Sequence, residues 1–162
     1  MSIVIHNISP VFDKESEILI LGSFPSVKSR EAEFFYGHPQ NRFWRVTAQI
    51  FGDTVPDTTE EKKAFLLRNH IALWDVVASC EIEGSADSTI KNVVPNDIGM
   101  ILKTAEIKQV YVNGKTAEKY YKKYIQPTVG RTAICLPSTS PANAAKSLGK
   151  LVEEWGKIKT SE

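Results

Sequence analysis

Three short segments of the chain concentrate residue types that can do chemistry on a bound ligand. They are Gly22-Ser23-Phe24-Pro25-Ser26, then Tyr36-Gly37-His38-Pro39-Gln40-Asn41-Arg42-Phe43-Trp44, then Pro137-Ser138-Thr139-Ser140-Pro141-Ala142-Asn143. The first and third are small, polar and proline-rich, as backbone that approaches a ligand closely tends to be. The second, preceded by Phe34 and Phe35, crowds aromatic rings into a loop, and large rings in loops need something to stack on. The chemistry on offer is stacking plus hydrogen bonding from neutral amides and hydroxyls. Nucleophilic attack is not signalled: Gly-x-Ser-x-Gly is absent, and His6, His38 and His70 stand in unrelated contexts. His38 has no metal-ligating neighbour at ligand spacing and reads as a histidine bonded to the backbone of its own loop. No metal and no cofactor are expected.

Asn113-Gly114-Lys115-Thr116 invites a phosphate-loop reading, but Gln109 stands where that motif needs its first glycine. A plain strand-to-helix turn is the simpler account, and Lys115, Lys119, Lys122 and Lys123 read as a solvated helix face. Cys80 and Cys135 are not spaced as CxxC and read as buried free thiols; two cysteines cannot supply an iron–sulfur cluster.

The elements that must position these segments follow from periodicity. Ile18 to Leu21, closed by Gly22, reads as a buried strand. Phe43, Val46, Thr47 and Ile50 recur at helical spacing, so a helix is predicted over 41–51 with Gly52 as its stop. Thr58 and Glu61 form a capping-box pattern opening a helix to about Asn69. Ile71 to Val77 reads as the second strand, and Pro95, Asn96 and Asp97 mark a helix start with Ile98, Leu102 and Ala105 on its apolar face. Gln109 to Val112 is the third strand, 115–124 a helix, Thr132 to Leu136 the fourth strand. Pro141 to about Trp155 is the last helix, with Ser140 as its cap. Alternating strands and helices imply a parallel, helix-covered sheet, hence a three-layer α/β/α fold with four mainly parallel strands. Ligands in such sheets collect beyond the strands' carboxyl ends, where strand order reverses. The three chemical segments and Asn113 all lie there or on the connection after the first strand.

The chain has 162 residues, 42% hydrophobic and 24% charged, with a net charge of +1. That suits one domain over 1–162 with one core, without the strong basicity that advertises nucleic acid. No apolar run approaches a membrane span and no secretory signal opens the chain, so a reducing, cytoplasmic location is the default.

The Gly-x-x-Pro loop with a downstream His-Pro-x-Asn-Arg-Phe-Trp resembles the mismatch-specific uracil/thymine DNA glycosylases. Their loop reads Gly-x-Asn-Pro-Gly, and its Asn positions the attacking water. Phe24 stands where that Asn would be, and a phenyl ring cannot orient water. The hypoxanthine-DNA glycosylase branch of the uracil-DNA glycosylase superfamily resembles this chain more closely. All three blocks match it in order, within a similarity running from residue 3 to residue 156.

The resemblance implies a monofunctional DNA glycosylase that flips a deaminated base, above all hypoxanthine, out of DNA and hydrolyses its glycosidic bond. A uracil or broad deaminated-base glycosylase, or a silent nucleic-acid-binding module, are the alternatives. It implies DNA carrying inosine or uracil as partner and a monomeric enzyme. Asn41 is then the catalytic residue, and Tyr36 the ring that stacks on the base; a helix cap and a core anchor are the competing readings of these two. Phe24, Ser23 and Asn113 fall to the base site. Pro25, His38 and the loop Ser138, Thr139, Ser140, Pro141, Ala142 and Asn143 fall to DNA contact.

Overall fold

The computed structural model describes every residue except 1, 6, 7, 26, 33, 85 and 160–162. In chain order the strands are β1 (Ser2–Ile5), β2 (Ile18–Gly22), β3 (Ile71–Asp75), β4 (Val77–Ile82), β5 (Lys91–Pro95), β6 (Gln109–Asn113) and β7 (Ala133–Leu136). The helices are α1 (Val27–Ala32), α2 (Phe43–Phe51), α3 (Thr59–Arg68), α4 (Gly99–Thr104), α5 (Lys115–Tyr120), α6 (Gln126–Val129) and α7 (Leu148–Trp155).

Four strands form a parallel sheet in the order β3-β2-β6-β7. Every residue of β2 and β3 is buried, so helices and loops cover both faces, as an all-parallel sheet requires. The α/β class and the four-stranded parallel sheet expected from the sequence are those observed. Because β2 leads to β3 on one side while β6 leads to β7 on the other, the strand order reverses between β2 and β6. Register places Gly22 opposite Asp75 and Leu21 opposite Val112, so Gly22, Asp75 and Asn113 share one edge.

The capping box at Thr58 and Glu61 is formed, and Gly52 ends α2 in the left-handed conformation at φ 63. Other expectations need correction. The apolar run Ile71 to Val77 stays buried throughout, but the chain changes sheets after Asp75: Val77 begins β4, which pairs with β1 and β5 in a small antiparallel sheet. Hydropathy cannot show a change of partner. Pro95 closes β5 rather than opening a helix, and α4 begins at Gly99. The helix expected to end near Tyr124 continues through a π turn (Tyr121–Ile125) into α6. Pro127 has no N–H to bond the preceding turn, and the helix widens just before it. Cys80 is buried, whereas Cys135 is half-buried because β7 is an edge strand.

The largest difference concerns the last helix, which starts at Leu148 with the Ser147 side chain accepting from Lys150 N. Pro141 and Ser140 lie instead in an irregular loop. Arg42 reaches from the start of α2 and takes the carbonyls of Ser140, Asn143 and Lys146. Ser140 O and Asn143 O also accept the N–H three residues on, from Asn143 and Lys146, so the segment closes into isolated turns pinned to Arg42 rather than an α-helix. Helix α7 is fixed by Trp155, fully buried, whose ring meets Phe43 edge to face at 5.9 Å and whose Nε1 donates to Pro137 O at 2.8 Å.

Among the described residues no helix is long and apolar enough to cross a membrane. Replacing Trp155 with Ala removes both the buried ring and the bond to the β7 exit, and should lower stability by roughly 3–5 kcal/mol in urea unfolding.

Candidate active site

At the carboxyl edge of the parallel sheet lies a cavity of about 140 Å³, where the end of β2, the loop before α2, Asn113 and the loop after β7 meet. This is smaller than the ~300–1,000 Å³ of drug-sized pockets and suits one flat group. Gly22, Ser23, Phe24, Pro25, Tyr36, Asn41, Asn113, Ser138, Thr139 and Ser140 all line it, as the sequence reading expects. Ser26 falls outside the described residues. His38, Pro141, Ala142 and Asn143 do not line the cavity. His38 Nδ1 accepts from Gln40 N at 3.1 Å and its carbonyl accepts from Asn41 N at 2.9 Å, so it shapes its own turn. Ala142 and Asn143 border a shallow groove next to the cavity.

A chain of hydrogen bonds links four of these residues. Asn113 Nδ2 donates to Tyr36 OH at 3.2 Å and to Thr139 Oγ1 at 3.0 Å, while Asn113 Oδ1 accepts from Thr139 N at 3.1 Å. Thr139 Oγ1 donates onward to Asn41 Oδ1 at 2.9 Å, which also accepts from Phe43 N at 2.9 Å. A backbone N–H can only donate, so these contacts decide which end of each amide is oxygen. The consequence for Asn41 is specific. Its oxygen is engaged by two donors, and its Nδ2 has no partner among the described residues. Asn41 thus caps α2 through Phe43 N from one position outside the helix, with Arg42 as the boundary residue.

Two expected roles change. Thr139 is fully buried with its polar atoms engaged inside the protein, so it cannot be a surface contact for DNA. Asn113 has both amide hydrogens committed, leaving only spare acceptor capacity on Oδ1.

Tyr36 adopts φ 52, a left-handed backbone uncommon for a bulky residue and of the kind that persists only where surroundings enforce it. Its ring stacks on Phe43 at 4.3 Å between centroids and 20° between planes. Burial, then the nearby Asp75 charge, push its phenol far above the ordinary range, against a smaller opposing effect of the Asn113 bond. The phenol is therefore neutral and keeps its proton. Phe24, nearly buried, has the Arg30 guanidinium 5.5 Å above its ring, and Arg30 is tethered to Gly84 O at 2.6 Å.

The sequence reading missed Asp75. Only 4% exposed, it lines the cavity at the end of β3. A Cβ built on Gly22 would lie 2.3 Å from Asp75 Oδ1 and 3.1 Å from Tyr36 OH, so glycine is what admits the carboxylate to this position. The available signal was an acid closing the otherwise apolar run Ile71-Ala72-Leu73-Trp74. Among the described residues no group of three or more His, Cys, Asp or Glu side chains could hold a metal ion.

The sequence profile of the uracil DNA glycosylase superfamily matches residues 9–158. The chain is 37% identical over 147 residues to a protein named hypoxanthine DNA glycosylase from Methanosarcina acetivorans, covering 90% of this chain and 91% of that one. It is 36% identical over 148 residues to one of the same name from Methanosarcina barkeri, covering 90% and 92%. The solution NMR structure of a candidate uracil DNA glycosylase from Methanosarcina acetivorans is similar at a TM-score of 0.80, with 33% identity and 93% of each chain covered.

Two measurements check this geometry. Gly22→Ala should cost roughly 1–3 kcal/mol through overpacking, and part of that loss should be recovered when Asp75→Ala is added, because the clash is with its carboxylate. The Tyr36 phenol is raised above its unfolded value of about 10, so its contribution to stability is complete below about pH 10 and is lost as pH climbs further. Tyr36→Phe should therefore flatten the fall of unfolding free energy above about pH 10 in denaturant titrations.

Proposed function

Because the chain belongs to the uracil DNA glycosylase superfamily, we propose that it is a monofunctional DNA glycosylase that hydrolytically releases a deaminated base, with hypoxanthine as its main substrate. The observation that carries this reading to the atomic level is the Asn41 amide: its oxygen is held from two sides, so a donor is what it has left to offer a ligand in the cavity.

A base within a duplex cannot present its glycosidic bond, so the nucleotide rotates out at a cost of a few kcal/mol, less when mismatched. The aromatic lining of Phe24 and Tyr36 offsets this by stacking, worth ~1–3 kcal/mol per base. As the C1′–N bond breaks, positive charge develops on the sugar and negative charge on the leaving purine. Neutral donors already in place stabilise that departing base. Asn41 Nδ2 is one such donor, and the phenol of Tyr36, neutral through the working pH range, is a second.

Asp75 reads the base edge. A carboxylate accepts hydrogen bonds and cannot donate. Deamination turns adenine N1, an acceptor, into the N1–H donor of hypoxanthine, and cytosine N3 into the N3–H donor of uracil. A buried carboxylate thus favours the deaminated edge and repels the normal one. Pro25, Ser138 and Ser140 stand at the cavity where the flanking strand would pass and are assigned to DNA contact, with Ala142 and Asn143 along the adjoining groove.

A duplex panel carrying inosine, uracil, xanthine and ethenoadenine tests the activity directly; release of hypoxanthine with an intact abasic strand is expected, and no release from any of them would overturn it. Excess EDTA should leave the rate unchanged. Asn41→Ala should slow single-turnover excision by roughly 10²–10³, the effect of losing one preorganised donor. Asn41→Asp keeps both acceptor bonds to Phe43 N and Thr139 Oγ1 but puts an acceptor-only charge where the amide donated, so it should fold normally and be slow. Wild-type rates in folded Asn41→Asp would show that Asn41 is only a cap.

A further inference from the structure

We infer that Arg42 is a positioning residue that makes seating of the 138–146 loop on DNA and placement of the Asn41 amide one event; this rests on the glycosylase reading above. Between Leu136 and Leu148 the chain has no strand or helix of its own. Besides bonds within the loop, such as Asn143 Nδ2 to Ser138 O, it is tied to the start of α2 by a cage of backbone carbonyls around a single guanidinium: Arg42 donates to Ser140 O at 3.1 Å, to Asn143 O at 3.0 Å and to Lys146 O. The Arg42 backbone N–H adds a bond to Thr139 O at 3.1 Å. Asn41, the residue before, receives Thr139 Oγ1 on its side-chain oxygen. Two adjacent residues at the start of α2 therefore grip the loop through Thr139, Ser140, Asn143 and Lys146, and one of them carries the donor offered to the ligand.

The chemistry of the cage favours this role over a simple ion pair. Among the described residues no carboxylate forms an ion pair with the Arg42 guanidinium, and Glu154 of α7 is taken by Lys146 at 2.8 Å. The charge is solvated by carbonyl dipoles alone, and three carbonyls at different angles match the fixed fork of a guanidinium. Those carbonyls are turned inward, away from an approaching phosphate, while the cationic charge behind them is retained. If the loop shifts, Thr139 moves with it, and Asn41 keeps only the Phe43 N–H of the two bonds that fix its amide. Misplacement of a catalytic group by about 1 Å is enough to slow a reaction by roughly 100-fold.

The test uses the full chain with Arg42→Met, Arg42→Lys, Thr139→Val and the double variant Arg42→Met/Thr139→Val. Two quantities are read for each: the maximal single-turnover rate on an inosine duplex, and the affinity for a duplex carrying a tetrahydrofuran abasic analogue across a salt series. Arg42→Met should lower the maximal rate by roughly 10–100-fold and weaken binding. Arg42→Lys keeps the charge but cannot hold three carbonyls, so its maximal rate should fall as well. The double variant should be no slower than the slower single variant within about threefold, since both changes break one unit. Three results would overturn the inference. A normal rate in Arg42→Lys, with Arg42→Met losing only affinity and about one unit of salt slope, would mean that Arg42 merely meets a phosphate. Lower thermal stability with a normal maximal rate would mean a purely structural role. Fully additive rate losses would mean that Arg42 and Thr139 act independently. If Arg42→Met does not fold, the rate of Arg42→Lys decides alone; a wild-type chain that releases no base fails the glycosylase reading first and this inference with it.

Discussion

Thr139 is fully buried and has each of its polar atoms bonded within the protein: its hydroxyl to Asn41 and Asn113, its N–H to Asn113, its carbonyl to Arg42 N. Three segments distant in sequence, around Asn41, Asn113 and Thr139, are held together at this one residue. A buried hydroxyl left unpaired is unfavourable by about 1–3 kcal/mol, so the network is satisfied as a whole or not at all. Its completeness fixes both amides and, through Asn113, the phenol of Tyr36. The polar side of the site is consequently held by neutral hydrogen bonds between segments.

The same edge shows how small residues and large ones divide the work. Gly22 has no side chain where β2 ends, and the Asp75 carboxylate sits where a Cβ would otherwise be. That places a negative charge beside a buried phenol, and the phenol responds by staying neutral. Around them the aromatic set Tyr36, Phe43 and Trp155 is packed face to face and edge to face, linking the cavity wall to helix α7. Stiffness at the cavity is thus inherited from the hydrophobic core rather than supplied by the loops alone.

The reaction such a site supports needs no strong base, because the bond to be broken has a leaving group that neutral donors can stabilise. Phe24 is compatible with that chemistry: in the proposed mechanism the polar task falls to Asn41 from the next segment, and Phe24 contributes a wall under Arg30. On the same proposal, discrimination among bases falls to the Asp75 carboxylate, whose acceptor-only character matches the proton that deamination adds to the ring.

The sequence by itself determined the α/β class, the four parallel strands, the capping box at Thr58, the stop at Gly52 and the identity of the three segments that converge. These follow from local periodicity and from residues whose conformational demands do not depend on partners. It also placed Asn41 and Tyr36 at the cavity, because their motif lies in one continuous stretch. Tertiary structure alone decided the rest. Asp75 was hidden at the end of an apolar strand, since its meaning comes from Gly22 across the ladder. The start of α7 was misplaced because Arg42, 98 residues before Ser140 in sequence, pins the Ser140 and Asn143 carbonyls of a segment that forms isolated turns instead of a helix. Thr139 was legible as a polar loop residue and not as a buried linchpin, and the amide ends of Asn41 and Asn113 were undetermined. A hydrogen bond between segments about a hundred residues apart leaves no trace in local pattern; only the folded backbone brings donor and acceptor within reach and states which atom faces which.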